Sequence, residues 1–152
     1  MNSQSVCNQG SEKIEPILML KYLDVQEIPY REMENQRRRG DYIILNGDFC
    51  TKYLELKTEY KYTGNLYLEI YDDYPYRRPG WLQNLDQCDI LVYHFLSNNQ
   101  TIFINRFAEL RQYVLHALEN NRLYLHIGQN KYAQKTVPAG VLFPAENLKN
   151  FL

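Results

Sequence analysis

From residue 53 to 58 polar and apolar positions alternate: Tyr53, Glu55 and Lys57 fall on one face and Leu54, Leu56 and Thr58 on the other, the period of a half-buried strand. Upstream, Asp41-Tyr42-Ile43-Ile44-Leu45 is a compact β-forming run and Asn46-Gly47-Asp48 is a turn signal, so residues 41–58 are expected to fold as a hairpin. Residues 65–71 predict a further strand. The almost wholly apolar run 89–96 predicts a strand buried on both faces, which turns at Ser97-Asn98-Asn99-Gln100 into another at 101–104. The period then lengthens to that of a helix, with Phe107, Leu110, Val114, Ala117 and Leu118 recurring within 106–120. Residues 30–39 contain helix formers and no breaker, and Gly40 stands where a helix would stop. Residues 14–23 predict a short helix or an irregular apolar segment, and the prolines and glycine of 72–81 an irregular loop. An edge strand is expected over 137–144 and a terminal helix over 145–151.

This order predicts one α/β domain: a mixed β-sheet flanked by helices, covering 13–152, behind a disordered or irregular polar segment at 1–12. With 152 residues, 45% of them hydrophobic and 23% charged, the chain buries one core and is not globally disordered. A net charge of -1 excludes a polybasic, histone-like protein. Cys7, Cys50 and Cys88 are odd in number and form no CxxC pair, which suits a reducing compartment. The polar N-terminus lacks the basic patch and apolar core of a secretory signal, and no run approaches the roughly 20 apolar residues of a membrane span. A cytoplasmic protein without a membrane partner is therefore expected. The 14 tyrosines suit half-buried strand faces first, and interfaces or nucleic-acid contacts second.

The chemistry concentrates in the first hairpin. An acid opens one arm, Asp41, and Glu55-Leu56-Lys57 ends the other, so antiparallel pairing brings two carboxylates and an ammonium into a small volume. Such a set suits Mg2+ or Mn2+, hard cations held by one or two carboxylates plus water and phosphate oxygens. Lys57 would orient or deprotonate an attacking water. Geometry sets a condition: a two-residue Asn46-Gly47 turn would place Asp41 opposite Lys52, roughly 10 Å from Glu55. The connection must be wider, or the second arm bulged, for the two acids to share an ion.

An acid, a variable gap and acid-x-lysine on a hairpin resemble the PD-(D/E)XK nuclease superfamily. Glu32 and Gln36 on the preceding helix, Gly40-Asp41, Glu69 on the next strand, Gly80-Trp81 and Cys88-Asp89-Ile90 resemble it too, over residues 28–110. Gly40 stands where the signature has its proline. The resemblance implies a restriction-endonuclease-like fold. It also implies a metal-dependent nuclease that hydrolyses phosphodiester bonds, of DNA more often than RNA, with Mg2+ (or Mn2+) as cofactor. Asp41 and Glu55 would be metal ligands, Lys57 would sit at the attacking water, and Glu32 would be an auxiliary acid.

Arg37-Arg38-Arg39 beside Asp41, with Gln36, and Arg77-Arg78 in a loop that also holds Tyr74, Tyr76 and Trp81, are candidate nucleic-acid contacts. Trp81 by itself reads first as a core anchor. His94, His116 and His126 have no metal-ligand spacing, and no phosphate-binding glycine motif occurs. The rival reading is a catalytically inactive module of the same fold that binds nucleic acid or a protein. In that case Asp41, Glu55 and Lys57 form a cross-strand ion cluster worth about 0.2–1 kcal/mol. Whether a homodimer forms stays open.

Overall fold

The structure is a computed structural model that describes residues 3–22, 24–46, 50–128 and 136–152. Its helices and strands run α1 (Ser3–Lys21), β1 (Val25–Glu27), α2 (Met33–Arg39), β2 (Tyr42–Asn46), β3 (Cys50–Glu59), β4 (Asn65–Asp73), β5 (Arg78–Pro79), α3 (Trp81–Asn84), β6 (Ile90–Phe95), β7 (Gln100–Ile104), α4 (Phe107–Glu119), β8 (His126–Ile127) and β9 (Ala139–Pro144). A 3-10 turn at Tyr30–Glu32 leads into α2, and another at Ala145–Asn150 follows β9. The class is mixed α/β, as expected. A sheet ordered β1-β2-β3-β6-β7 is mixed, because β3 and β6 run parallel while its other pairs are antiparallel.

The remaining strands do not extend that sheet. They form a second one, β5-β4-β9-β8, which corrects the expectation of a single sheet. The reason lies in β4, whose Leu66, Leu68 and Ile70 are buried while the residues between them are half-exposed. A strand with one apolar face packs onto a neighbouring layer, and β4 does so against Leu91, Tyr93 and Phe95 of β6. The strand at 137–144 was expected at an edge; β9 instead lies between β4 and the two-residue β8, a partner too short to leave a pattern in the sequence. The span 72–81, expected to be irregular, contains β5 and starts α3.

β6 is buried along its whole length, as its apolar run predicts. Ile90 and Val92 face a cluster with Leu54 and Leu56 of β3 and with Ile14 and Leu18 of α1. Leu91, Tyr93 and Phe95 face β4, β9 and α4. The polar lead-in over 1–12 is helical from Ser3, contrary to the irregular segment expected there, and α1 runs unbroken to Lys21. Its Ile14 and Leu18, one turn apart, are fully buried, and Gly10 lets the helix approach β3 so closely that a Cβ there would meet the Thr58 side chain. Among the described residues no helix is long and apolar enough to cross a membrane.

Candidate active site

Gly40 closes α2 by donating its N–H to the Gln36 carbonyl at 2.8 Å, with φ at +107°. Only glycine suits this corner, because a Cβ would lie 2.6 Å from the Leu54 carbonyl oxygen in addition to the backbone strain. The tight approach sets Asp41 against β3: its N–H donates to the Leu54 carbonyl at 2.8 Å, and its Oδ2 accepts the Leu56 N–H at 3.0 Å. Pairing from Tyr42 with Leu54 to Asn46 with Cys50 places Asp41 level with Glu55. The connection is thus wider than a two-residue turn, as the geometry required; residues 47–49, including most of the predicted turn signal, lie outside the described residues. In this register the Asp41 and Glu55 carboxyls are close enough that each acts on the titration of the other.

Alternation along β3 sends Leu54 and Leu56 into the core under α1 and turns Glu55 and Lys57 to the other face. There Lys57 Nζ pairs with Glu55 Oε1 and lies 5.1 Å from the centre of the Trp81 ring. Glu55 is 6% exposed, and burial, only partly offset by Lys57 and reinforced by Asp41, pushes its carboxyl up to about 7. Burial also raises Asp41, against the pull of Lys57. For Lys57 burial acts in the opposite direction, but Glu55 and Asp41 outweigh it and its pKa is raised. The lysine therefore stays an ammonium at neutral pH, and the group that titrates near neutrality is Glu55.

These three side chains line a cleft of about 500 Å³. Glu69 of β4 lines it as well; its Oε1 accepts the Trp81 N–H at 3.3 Å, and burial raises its carboxyl despite that bond. Gly80 has no room for a side chain, since a Cβ would lie 2.8 Å from both Glu69 Cγ and the Glu69 carbonyl oxygen. Trp81 is both things the sequence allowed, packed against the main core and lining the cleft.

The candidate nucleic-acid residues divide. Gln36, Arg37 and Arg78 line the cleft, with the Gln36 amide tied to the Ile28 carbonyl at 2.7 Å and Arg78 paired with Asp72 at 2.7 Å. Arg38 and Arg39 do not line it: Arg38 forks onto Asp86 at 2.9 and 2.8 Å, and Arg39 bonds Gln87 at 2.9 Å with its guanidinium over Tyr53. Arg77 stacks over Tyr74, 4.2 Å from its ring centre, and is also outside the cleft lining. Glu32, the expected auxiliary acid, is exposed in the 3-10 turn, accepts a bond from Asn35 at 3.0 Å and does not line the cleft either. Tyr30 and Met33 line it and went unnoticed in the sequence. Their signal was available, since 30, 33 and 37 are spaced along one helical face that ends at Arg37.

In chemical type the donors at the cleft suit a hard cation: the carboxyls of Asp41, just before β2, and Glu55, on its partner β3, line it together, with space for water and phosphate oxygens. Among the described residues no group of three or more His, Cys, Asp and Glu is placed to hold a metal. His94 is a core histidine, buried, with Nδ1 2.9 Å from Thr101 Oγ1. Compared with protein families, curated proteins and solved structures, the chain gives no match.

Proposed function

We propose that the chain is a metal-dependent nuclease of the PD-(D/E)XK kind, with a restriction-endonuclease-like core, that hydrolyses phosphodiester bonds, DNA being the first candidate substrate. The observation that carries this reading is the level pairing of Asp41 with Glu55 beside the Lys57 ammonium in a cleft that also holds Arg37. Asp41 and Glu55 would hold Mg2+ or Mn2+, which when bound supplies an acidified water and neutralises charge on the phosphate. Lys57, kept protonated by its two acidic neighbours, orients that water or a phosphate oxygen through N–H donors and offsets charge in the transition state. Asp41 is held by the Leu56 N–H, so one ligand is positioned before substrate arrives. Glu69 fixes the backbone at Trp81, and the indole covers the Lys57 ammonium from the side.

Plasmid cleavage with Mg2+, with EDTA, and by Lys57→Ala tests the proposal. Nicking that needs the metal and disappears in the variant supports it, and undiminished cleavage by the variant overturns the assigned roles.

One observation favours the inactive-module reading: Lys57 already pairs with Glu55, so one of the two acids has a counter-charge without an ion. That reading expects salt-sensitive binding without turnover and no ion bound in calorimetry with Mg2+ or Mn2+.

A further inference from the structure

Around its polar floor the cleft carries large apolar side chains left in water. Tyr30 is 77% exposed and Met33 is 55% exposed, and both line the cleft together with Arg37. A planar ring, a polarizable thioether and a guanidinium along one wall form a surface on which a nucleobase stacks while the adjoining phosphate meets a cation. Trp81 does not serve this purpose as freely, because Lys57 already lies against its ring.

The cations point the same way. Duplex binding draws on many phosphate contacts, commonly about 6–10 in a protein with a full footprint. Here the net charge is -1. Arg38, Arg39, Arg77 and Arg78 are occupied by Asp86, by Gln87 and Tyr53, by Tyr74 and by Asp72. Among the described residues, Arg37 is the cleft arginine with no hydrogen bond or ion pair. One free arginine, a lysine already paired with Glu55 and a stacking wall are poor at gripping a duplex, whose bases are hidden from them, and well matched to an open strand, in which every base presents a face. A volume of about 500 Å³ falls in the range of small-ligand sites and suits about one or two nucleotides.

We propose that the substrate strand crossing Asp41 and Glu55 is unpaired, with a base against Tyr30 and Met33 and a phosphate at Arg37. This rests on the nuclease reading for the chemistry but not for the binding. DNA and RNA share the recognised groups, base faces and phosphodiesters.

The test is fluorescence anisotropy of the full chain in EDTA with short labelled probes: single-stranded DNA, single-stranded RNA and a blunt DNA duplex of the same length. The expected result is single-strand binding roughly tenfold tighter than duplex binding, and a roughly fivefold to tenfold loss in Tyr30→Ala, an exposed position that leaves the fold intact. A preference for either sugar supports the inference and identifies the source of the strand. Duplex binding as tight as single-strand binding, or unchanged affinity in both Tyr30→Ala and Met33→Ala, overturns it. A strand that binds with this preference but is never cut with Mg2+ upholds the inference while overturning hydrolysis. Cleavage of duplex without single-strand preference does the reverse.

Discussion

Asp41 Oδ2 accepts the backbone N–H of Leu56 at 3.0 Å, so the acid that precedes β2 is fastened to β3 between Glu55 and Lys57. The bond makes separable demands on the side chain, an acceptor for folding and a negative charge for a cation. Asp41→Asn keeps the acceptor and is expected to stay close to wild type in urea denaturation. Asp41→Ala leaves the N–H without its partner and is expected to lose about 1–3 kcal/mol.

The corner before Asp41 gives a second check. Gly64 has φ of +83° and nothing within 4 Å of a Cβ, whereas Gly40 combines φ of +107° with the Leu54 carbonyl at 2.6 Å. Gly64→Ala is expected to cost about 1–2 kcal/mol from backbone conformation alone. Gly40→Ala is expected to cost more, and to lower cleavage as well, because the chain must shift at the residue next to Asp41. Equal losses at the two sites in denaturant titrations would contradict the close approach.

The buried carboxyl sets a pH dependence whose sign is fixed. Glu55 titrates at about 7 in the folded chain against 4.5 ordinarily, so between these values the native state holds more protons than the unfolded state. The contribution of Glu55 to stability in EDTA is therefore greatest at the acidic end of this window, falls as pH rises through about 7, and levels off above it. Asp41 is raised in the same direction. The measurement is the difference between wild type and Glu55→Gln in unfolding midpoint from pH 4.5 to 8: the variant should lose the Glu55 part of this fall. Parallel curves would mean that Glu55 is not held in a desolvated site.

Lys57 and Glu32, grouped together by the sequence, are expected to separate in function. Removing Lys57 takes away a charge beside the reacting phosphate, and Lys57→Ala is expected to lower metal-dependent cleavage by about 100-fold or more. Glu32 lies outside the cleft, and Glu32→Ala is expected to stay within about twofold of wild type. Single-turnover assays on a labelled strand give both values.

What the sequence disclosed was whatever depends on neighbours in the chain. The alternation through Leu54, Glu55, Leu56 and Lys57 announced which side chains face the core and which the cleft, and Gly40 marked the end of α2. The register condition on Asp41 was also legible, because it follows from the strand period alone. Long-range partnerships were not. Nothing local to β4 says that it pairs with β9, some seventy residues on, in place of β3. Arg38 and Arg39 read as a charge run, yet their partners Asp86 and Gln87 arrive from the segment before β6. Tyr30 and Met33 carried a helical spacing that is equally compatible with a core face, and only the cleft beside them distinguishes the two.

The central claim is that Asp41 and Glu55 jointly grip a dication beside Lys57, and titration calorimetry with Mn2+ at pH 8 tests it most directly. The account predicts one ion bound by the wild-type chain and its loss, or a weakening of at least about tenfold, in Asp41→Asn and in Glu55→Gln, both still folded. No ion bound by the wild type, or the same affinity in all three proteins, would contradict it.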